Sequence, residues 1–213
     1  MKGYIVSHHP LILQLDVAGN PVRWIDYEEC AYYIVKDLVA WTPSNGAFTV
    51  YGGQNRITNA RSFLDMSTII AVKGDMGDKH LYRPPTLTNR ALFRRDQNMC
   101  AYCGQTYSHD HLTRDHIHPR SRGGPDKWTN VVASCGSCNK FKDNMTPEEA
   151  GMKLLYLPYT PTRAEHLILM NRNILADQMS FLMSHVSEES RLKNPVTPDK
   201  LPAVRRRKVQ PML

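Results

Sequence analysis

The sequence predicts an α+β protein in three parts: a small N-terminal α+β unit, a central cysteine-framed module and a C-terminal helical segment. Alternating apolar residues over 12–17 and 22–25, with turn residues between them, predict two antiparallel strands. Two Cys-x2-Cys pairs frame residues 100–138, a spacing typical of metal sites. We expect the N-terminal unit over 1–80 and the cysteine-framed module over 88–150. The helical segment is expected over 151–190, and a basic, mobile tail over 191–213.

Local signals predict the helices that surround these features. Asp26, with Glu29 three residues later, is typical of an N-cap, and apolar spacing continues that helix to Trp41, before a Pro-Ser-Asn-Gly stop. A short helix is expected over 88–96, and Thr146-Pro147-Glu148-Glu149 is typical of a helix start. A single long helix is expected over 162–186. Further strands are expected at 48–51 and 68–72.

The chain has a net charge of +7, and its positive charge is concentrated in two segments. Residues 83–143 hold 10 Lys and Arg against 5 Asp and Glu, and residues 191–213 hold 7 against 1. This distribution favours a polyanionic partner such as nucleic acid, although a solubility role explains the tail equally well. No apolar run approaches about 18 residues, so we expect no membrane span and a cytoplasmic protein.

Four of the five cysteines, Cys100, Cys103, Cys135 and Cys138, form the two pairs. Four thiolates complete a tetrahedral structural zinc site, and a closed site of this kind holds a fold together without catalysing. The alternative, four buried free cysteines, leaves the repeated spacing unexplained. The fifth, Cys30, lies in an apolar helical pattern and is expected in the core.

The segment between and just after the pairs carries the inventory for phosphodiester hydrolysis. Asp115 and His116 are adjacent, Asn130 precedes the second pair, and Asn139 directly follows it. An imidazole is a suitable base for water, and carboxylate and amide oxygens suit a hard cation. The candidate phosphate contacts are Arg114, Arg120, Arg122, Lys140 and Lys142.

Together these residues resemble the HNH (His-Asn-His) endonucleases, in the subgroup whose zinc-binding cysteine pairs bracket the active site. The matching positions are Asp115, His116, Pro119, Gly123, Gly124, Asn130 and Asn139. The resemblance implies a ββα-metal, treble-clef-like module at 88–150 that cleaves DNA, with RNA a less favoured substrate, and leaves 5′-phosphate and 3′-hydroxyl ends.

The resemblance also assigns roles within the module. His116 would be the general base, Asp115 and Asn139 would ligate a catalytic Mg²⁺ or Mn²⁺, and Asn130 would brace the loop and orient His116. An asparagine stands at the last position of the family's motif, which suits a hard cation. The alternative function is a non-catalytic zinc-containing module that binds nucleic acid. A purely structural or toxin-like partner protein would instead lack nucleic-acid affinity.

Overall fold

The computed structural model describes residues 9–43, 47–74 and 83–196, which belong to two compact units. The sheet unit comprises the described residues up to 84 together with Thr162–Val186, and the cysteine unit comprises Pro85–Pro161 with the described residues from Ser187. The predicted Pro-Ser-Asn-Gly stop and the basic run of the tail fall wholly or largely outside the described residues. In the described part of the chain, no helix is long and apolar enough to span a membrane.

Eight strands, five α-helices and three short 3-10 helices make up the regular structure of the described residues. The strands are β1 (Ile12–Leu15), β2 (Pro21–Ile25), β3 (Val39–Trp41), β4 (Ala47–Gln54), β5 (Arg61–Ser67), β6 (Ile69–Val72), β7 (Leu112–His116) and β8 (Val131–Cys135). The helices are α1 (Tyr27–Val35), α2 (Asn89–Arg95), α3 (Gly136–Lys142), α4 (Arg163–Met170) and α5 (Ala176–Ser184).

The sheet unit contains a four-stranded sheet of order β2-β1-β6-β3 and a separate β4–β5 hairpin. Strand β1 is antiparallel to β2 and parallel to β6, so the predicted strand–turn–strand is confirmed. Cys30 is buried in the apolar core of this unit with Ile12 and Ile70, as expected. The predicted Asp26 N-cap is also confirmed, because its carboxylate accepts a hydrogen bond from Glu29 N at 2.8 Å.

The prediction that α1 continues to Trp41 is wrong, because the helix ends at Val35. Asp37 adopts φ 52°, and Leu38 N donates to Tyr33 O at 2.8 Å, which closes the helix. Val39 and the residues after it then pair with β6 as an edge strand. The apolar spacing of this segment suits either structure, and pairing with β6 satisfies its backbone.

The predicted single helix over 162–186 is also wrong, because it breaks into α4 and α5. The break lies at Asn171, whose side-chain oxygen accepts a hydrogen bond from Asn173 N at 3.0 Å. Such a local side-chain bond offers the backbone an alternative to helix continuation. The start of this segment is capped by Thr162, whose Oγ1 accepts a hydrogen bond from Glu165 N at 3.1 Å.

The helix predicted from Thr146 is a single turn. Thr146 Oγ1 accepts from Glu149 N at 3.3 Å, and the Glu149 carboxylate accepts from Thr146 N at 3.0 Å. The capping contacts therefore form, but Gly151 adopts φ 63° and Met152 N donates to Pro147 O at 2.7 Å. This left-handed closure is typical of a helix end, and it comes one turn after the start.

In the cysteine unit, β7 pairs antiparallel with β8, and α3 follows β8 without a loop. The short helix predicted over 88–96 is confirmed as α2, capped by Thr88. The fully buried Arg95 guanidinium ties α2 to the rest of the unit, because it pairs with Asp96 at 2.7 Å and donates to the carbonyls of Trp128, Val131 and Tyr159 at 2.8 Å each. These contacts join α2 to β8, one of the two strands that carry the site.

Candidate active site and metal centre

The two cysteine pairs meet in space. The first lies on the turn after α2, where Gly104 adopts φ 72° and its N–H donates to Cys100 O at 3.0 Å. Cys135 ends β8 and Cys138 lies in the first turn of α3. Their four sulfur atoms all lie within 4.8 Å of one another, so this cluster could hold a metal ion.

One of these thiols is already predisposed to be a thiolate. A hydrogen bond from Cys138, supported by backbone N–H groups, lowers the pKa of Cys100 to about 4. Metal ligation requires deprotonated sulfur, and this hydrogen bond favours it at Cys100, whereas the same hydrogen bond raises the pKa of Cys138 and burial raises that of Cys103.

Asp115 is buried, and both of its carboxylate oxygens have partners. Lys142 Nζ donates to Oδ1 at 3.0 Å, and the Tyr102 hydroxyl donates to Oδ2. Burial, and then the negative charge of Asp115, raise the pKa of Tyr102 well above its ordinary value, so the phenol stays protonated. Lys142, predicted as a phosphate contact, is itself buried and forms an ion pair with Asp115.

His116 is the last residue of β7, which allows it to share a cleft with its neighbour Asp115 although adjacent strand residues point to opposite faces. Its Nε2 lies 2.9 Å from Asp126 Oδ1. Asp126 also accepts two hydrogen bonds from Arg114 Nη1, at 2.9 and 2.7 Å. The Arg114 guanidinium holds the pKa of the Asp126 carboxyl below its usual value, with a smaller contribution from His116.

The two predicted asparagines occupy different places. Asn139 lies on α3 and lines the cleft, where its Nδ2 donates to Thr113 Oγ1 at 2.9 Å. Asn130 does not line the cleft, and three hydrogen bonds fix its side chain. Its Oδ1 accepts from His118 N at 2.9 Å, and its Nδ2 donates to the carbonyls of His118 and Pro125 at 3.1 and 2.9 Å.

The cleft between β7, α3 and the loop that follows β7 has a volume of about 390 Å³. It brings together six of the predicted site residues, namely Arg114, Asp115, His116, Arg120, Asn139 and Lys142. Asn130, Arg122 and Lys140 are not among its lining residues. Arg122 instead forms an ion pair with Glu149 at 2.5 Å, and Lys140 is exposed on α3.

Sequence reasoning missed three residues at this site. Tyr102 contacts Asp115, and Asp126 contacts His116. Asp143 lines the cleft just after α3. Tyr102 stands between the first two cysteines, and Asp126 follows the Gly-Gly turn. Their proximity in the chain to the motif is the signal that could have drawn attention to them.

Comparison with known proteins assigns the central segment to a family. Residues 100–155 match the family model described as HNH endonuclease. A stretch of 87 residues is 32% identical to the CRISPR-associated endonuclease Cas9 of Corynebacterium diphtheriae, and covers 40% of this chain but only 8% of that protein. The crystal structure of the Type II-C Cas9 enzyme from Actinomyces naeslundii aligns with 45% of this chain and 12% of that one, at 22% identity and a TM-score of 0.27. The match of residues 100–155 to this family model confirms the resemblance predicted from the sequence.

Proposed function

We propose that this protein is a metal-dependent endonuclease that hydrolyses DNA phosphodiester bonds, with a structural zinc ion at its four cysteines. The observation that carries the proposal is one cleft, within the HNH-matching segment, lined by Asp115, His116 and Asn139. Four cysteine ligands close a zinc site, so the zinc would stabilise the fold and take no part in the reaction. Four reduced cysteines also fit a reducing compartment, and we place the protein in the cytoplasm.

In this proposal His116 is the general base. Its neutral imidazole accepts a proton from water, the resulting hydroxide oxygen bonds to phosphorus, the bond from phosphorus to the 3′ oxygen breaks, and the departing oxygen takes a proton from solvent. The products carry a 5′-phosphate and a 3′-hydroxyl. A histidine is suited to this role because its ordinary pKa is close to physiological pH.

Asp115 and the side-chain oxygen of Asn139 would hold the catalytic Mg²⁺ or Mn²⁺. Both are hard oxygen donors, and both line the same cleft. A divalent cation bound there would polarise the phosphate and stabilise the departing oxygen. The Lys142 ammonium already contacts Asp115 Oδ1, so a cation at this carboxylate would lie beside Lys142 or replace its contact.

The remaining residues of the site would hold the loop and the substrate. Asn130 braces the backbone just after His116, because its amide pairs with both the N–H and the carbonyl of His118. Arg120 is exposed and lines the cleft, which makes it the best placed of the predicted phosphate contacts. Lys140 and Arg122 do not line the cleft and would contribute to DNA binding from outside it.

The alternative is a non-catalytic zinc module that binds nucleic acid, and one observation favours it. Both Asp115 oxygens are used by Lys142 and Tyr102, as they would be if this carboxylate only stabilised the fold. The same cysteines and basic residues would then bind nucleic acid without cleaving it.

Plasmid cleavage separates the two functions. Supercoiled DNA would be incubated with the full chain, with Mg²⁺, with Mn²⁺ and with EDTA, alongside His116→Ala and the control His111→Ala. His111 is exposed in the same unit and bonds to Ser108, away from the cleft. We expect metal-dependent cleavage that His116→Ala abolishes and His111→Ala keeps, with salt-dependent DNA binding retained in both. DNA binding without cleavage under any metal condition, on a panel of plasmids, would support the binding module instead.

A further inference from the structure

Asp126 is absent from the HNH motif residues described above, yet it touches the residue at the centre of the proposed reaction. It lies in the loop between β7 and β8, two residues after the Gly-Gly turn. Its Oδ1 is 2.9 Å from His116 Nε2. Among the described residues, Asp126 is the hydrogen-bond partner of the His116 ring. This contact therefore sets the orientation of the ring and the nitrogen that carries its proton.

The charge state of Asp126 fixes the direction of this hydrogen bond. Arg114 Nη1 donates to both Asp126 oxygens, and Arg114 Nε donates to Asn89 Oδ1 at 2.9 Å, which anchors the guanidinium to α2. An ionised carboxylate has no proton to donate and can only accept. His116 Nε2 must therefore carry the proton in this contact.

We infer that Asp126 is a positioning residue, which holds His116 in the Nε2–H tautomer and leaves Nδ1 as the nitrogen that accepts the proton of water. The inference rests on the proposed function, since it states which atom of the general base reacts. Two consequences follow from the geometry. Once Nδ1 is protonated, the ring is positively charged beside an anionic partner, a contact that stabilises the new charge. Arg114 also acquires a role as the anchor of Asp126, in place of the phosphate contact predicted from sequence.

A simpler account treats Arg114 and Asp126 as a surface ion pair that His116 meets incidentally. The Asp126 side chain is 43% exposed, and exposed ion pairs contribute little to stability. The two accounts differ in a measurable way. An incidental contact leaves the two histidine tautomers in their solution proportions, whereas a positioning contact selects one.

Nitrogen NMR measures the tautomer directly and needs no catalytic activity. Zinc-loaded full chain would be prepared with ¹⁵N-labelled histidine, and the His116 signals would be assigned by their loss in His116→Ala. At alkaline pH, where a histidine ring is neutral, we expect His116 to carry its proton on Nε2. Asp126→Ala, which removes the acceptor, should shift the ring toward the tautomer proportions of a free histidine, and Asp126→Asn, whose amide oxygen can still accept, should shift it less. A matched control is Asp110→Ala, since Asp110 is an exposed aspartate of the same unit. A wild-type ring protonated on Nδ1, or a tautomer unchanged by Asp126→Ala, would overturn the inference.

Cleavage rates then test whether the tautomer matters for the reaction. Loss of a carboxylate that orients a metal-ligating histidine typically costs about 10- to 100-fold in metal affinity or activity, and by analogy we expect a loss of that size in kcat for Asp126→Ala. Asp126→Glu, which keeps an acceptor, should recover part of the rate, and Asp110→Ala should match the wild type. An Asp126→Ala enzyme with altered tautomer and full activity would refute the positioning role. A wild-type chain that cleaves no DNA would refute the proposed function, while the NMR result would still report the His116–Asp126 contact.

Discussion

The sheet unit and the cysteine unit both bury polar and charged side chains, Glu165 among those of the sheet unit, but the cysteine unit buries both members of two ion pairs. In the sheet unit, the Gln178 amide is fully buried and donates to the carbonyls of Leu11 and Thr68 at 2.7 and 2.8 Å. In the cysteine unit, whole ion pairs are buried, namely Arg95 with Asp96 and Lys142 with Asp115. Removing a charge from water costs several kcal/mol even in a relaxed protein, far more than burying a paired amide.

The difference indicates where the two units obtain their stability. The sheet unit joins four strands over an apolar core that includes Ile12, Met66 and Ile70. The cysteine unit has two strands and helices of seven residues, and a two-stranded sheet alone is at best marginally stable. A unit this small that also buries two ion pairs requires a further source of stability, and the four-cysteine cluster is positioned to supply it.

The largest expected effect is the loss of this metal site. Structural zinc contributes roughly 10–16 kcal/mol to the folding of zinc-finger peptides, which exceeds the total stability of many domains. We expect Cys135→Ala to lose bound zinc and to lose hydrogen-exchange protection in β7 and β8. Protection in β1 and β6 of the sheet unit should persist.

A matched control separates the metal from packing. Cys30→Ala makes the same substitution at a buried cysteine of the sheet unit and should retain the metal. If Cys135→Ala kept its zinc content and its exchange protection, the two units would not differ in their source of stability, and the comparison would fail.

The second effect tests the buried charges. Lys142→Met leaves the Asp115 carboxylate buried without its cation, which typically costs about 3–5 kcal/mol. We expect the free energy of unfolding of the cysteine unit to fall by that amount in urea titrations. Lys140→Met, on the exposed side of the same helix, should change it by less than about 0.5 kcal/mol.

A double-mutant cycle sharpens this test. Adding Asp115→Asn to Lys142→Met removes the uncompensated charge and should recover much of the stability. Equal losses for Lys142→Met with and without Asp115→Asn would mean that packing of the lysine stem, and not its charge, stabilises the unit.

The smallest effect is one in which the two units should behave alike. Thr88 and Asp26 cap α2 and α1, and each accepts a hydrogen bond from the backbone three residues later, at 3.1 and 2.8 Å. Alanine at either position should lower the free energy of unfolding of its own unit by about 1 kcal/mol. Chemical denaturation followed by hydrogen exchange, resolved by unit, would check this. A much larger loss for Thr88→Ala would show that the cysteine unit depends on local helix stability more than on its metal.

The features that sequence predicted correctly are those set by short spacings. The two cysteine pairs, the Asp26 cap and the β1–turn–β2 pattern each involve a few adjacent residues. The cysteine spacing also predicted the cluster, because two Cys-x2-Cys turns are suited to one ion. The residues that line the cleft followed from the resemblance to a family, which supplies positions that spacing alone does not.

The features that sequence missed depend on distant partners. Trp41 lies in a strand and not in the predicted helix, because its segment pairs with β6, about 30 residues later in the chain. Lys142 reads as an exposed cation of a basic segment, but the fold brings it against Asp115, 27 residues earlier. Asp126 has no pattern of its own and acquires its contact only when the loop closes on His116. Propensity and periodicity carry no information on such contacts.

The two glycines of the turn before Asp126 illustrate how differently neighbouring positions can be constrained. Gly123 adopts φ 88°, with open space where a side chain would project. At Gly124 a β-carbon would lie 1.8 Å from the backbone oxygen of His118 and 2.9 Å from that of Pro119. In a saturation-mutagenesis library, Gly123 should therefore tolerate asparagine, the residue that best accepts left-handed backbone, whereas Gly124 should tolerate nothing. The intolerance of Gly124 would then mark a close contact between two stretches of backbone. In such a scan it would be easily mistaken for a residue that takes part in the proposed reaction at the neighbouring cleft.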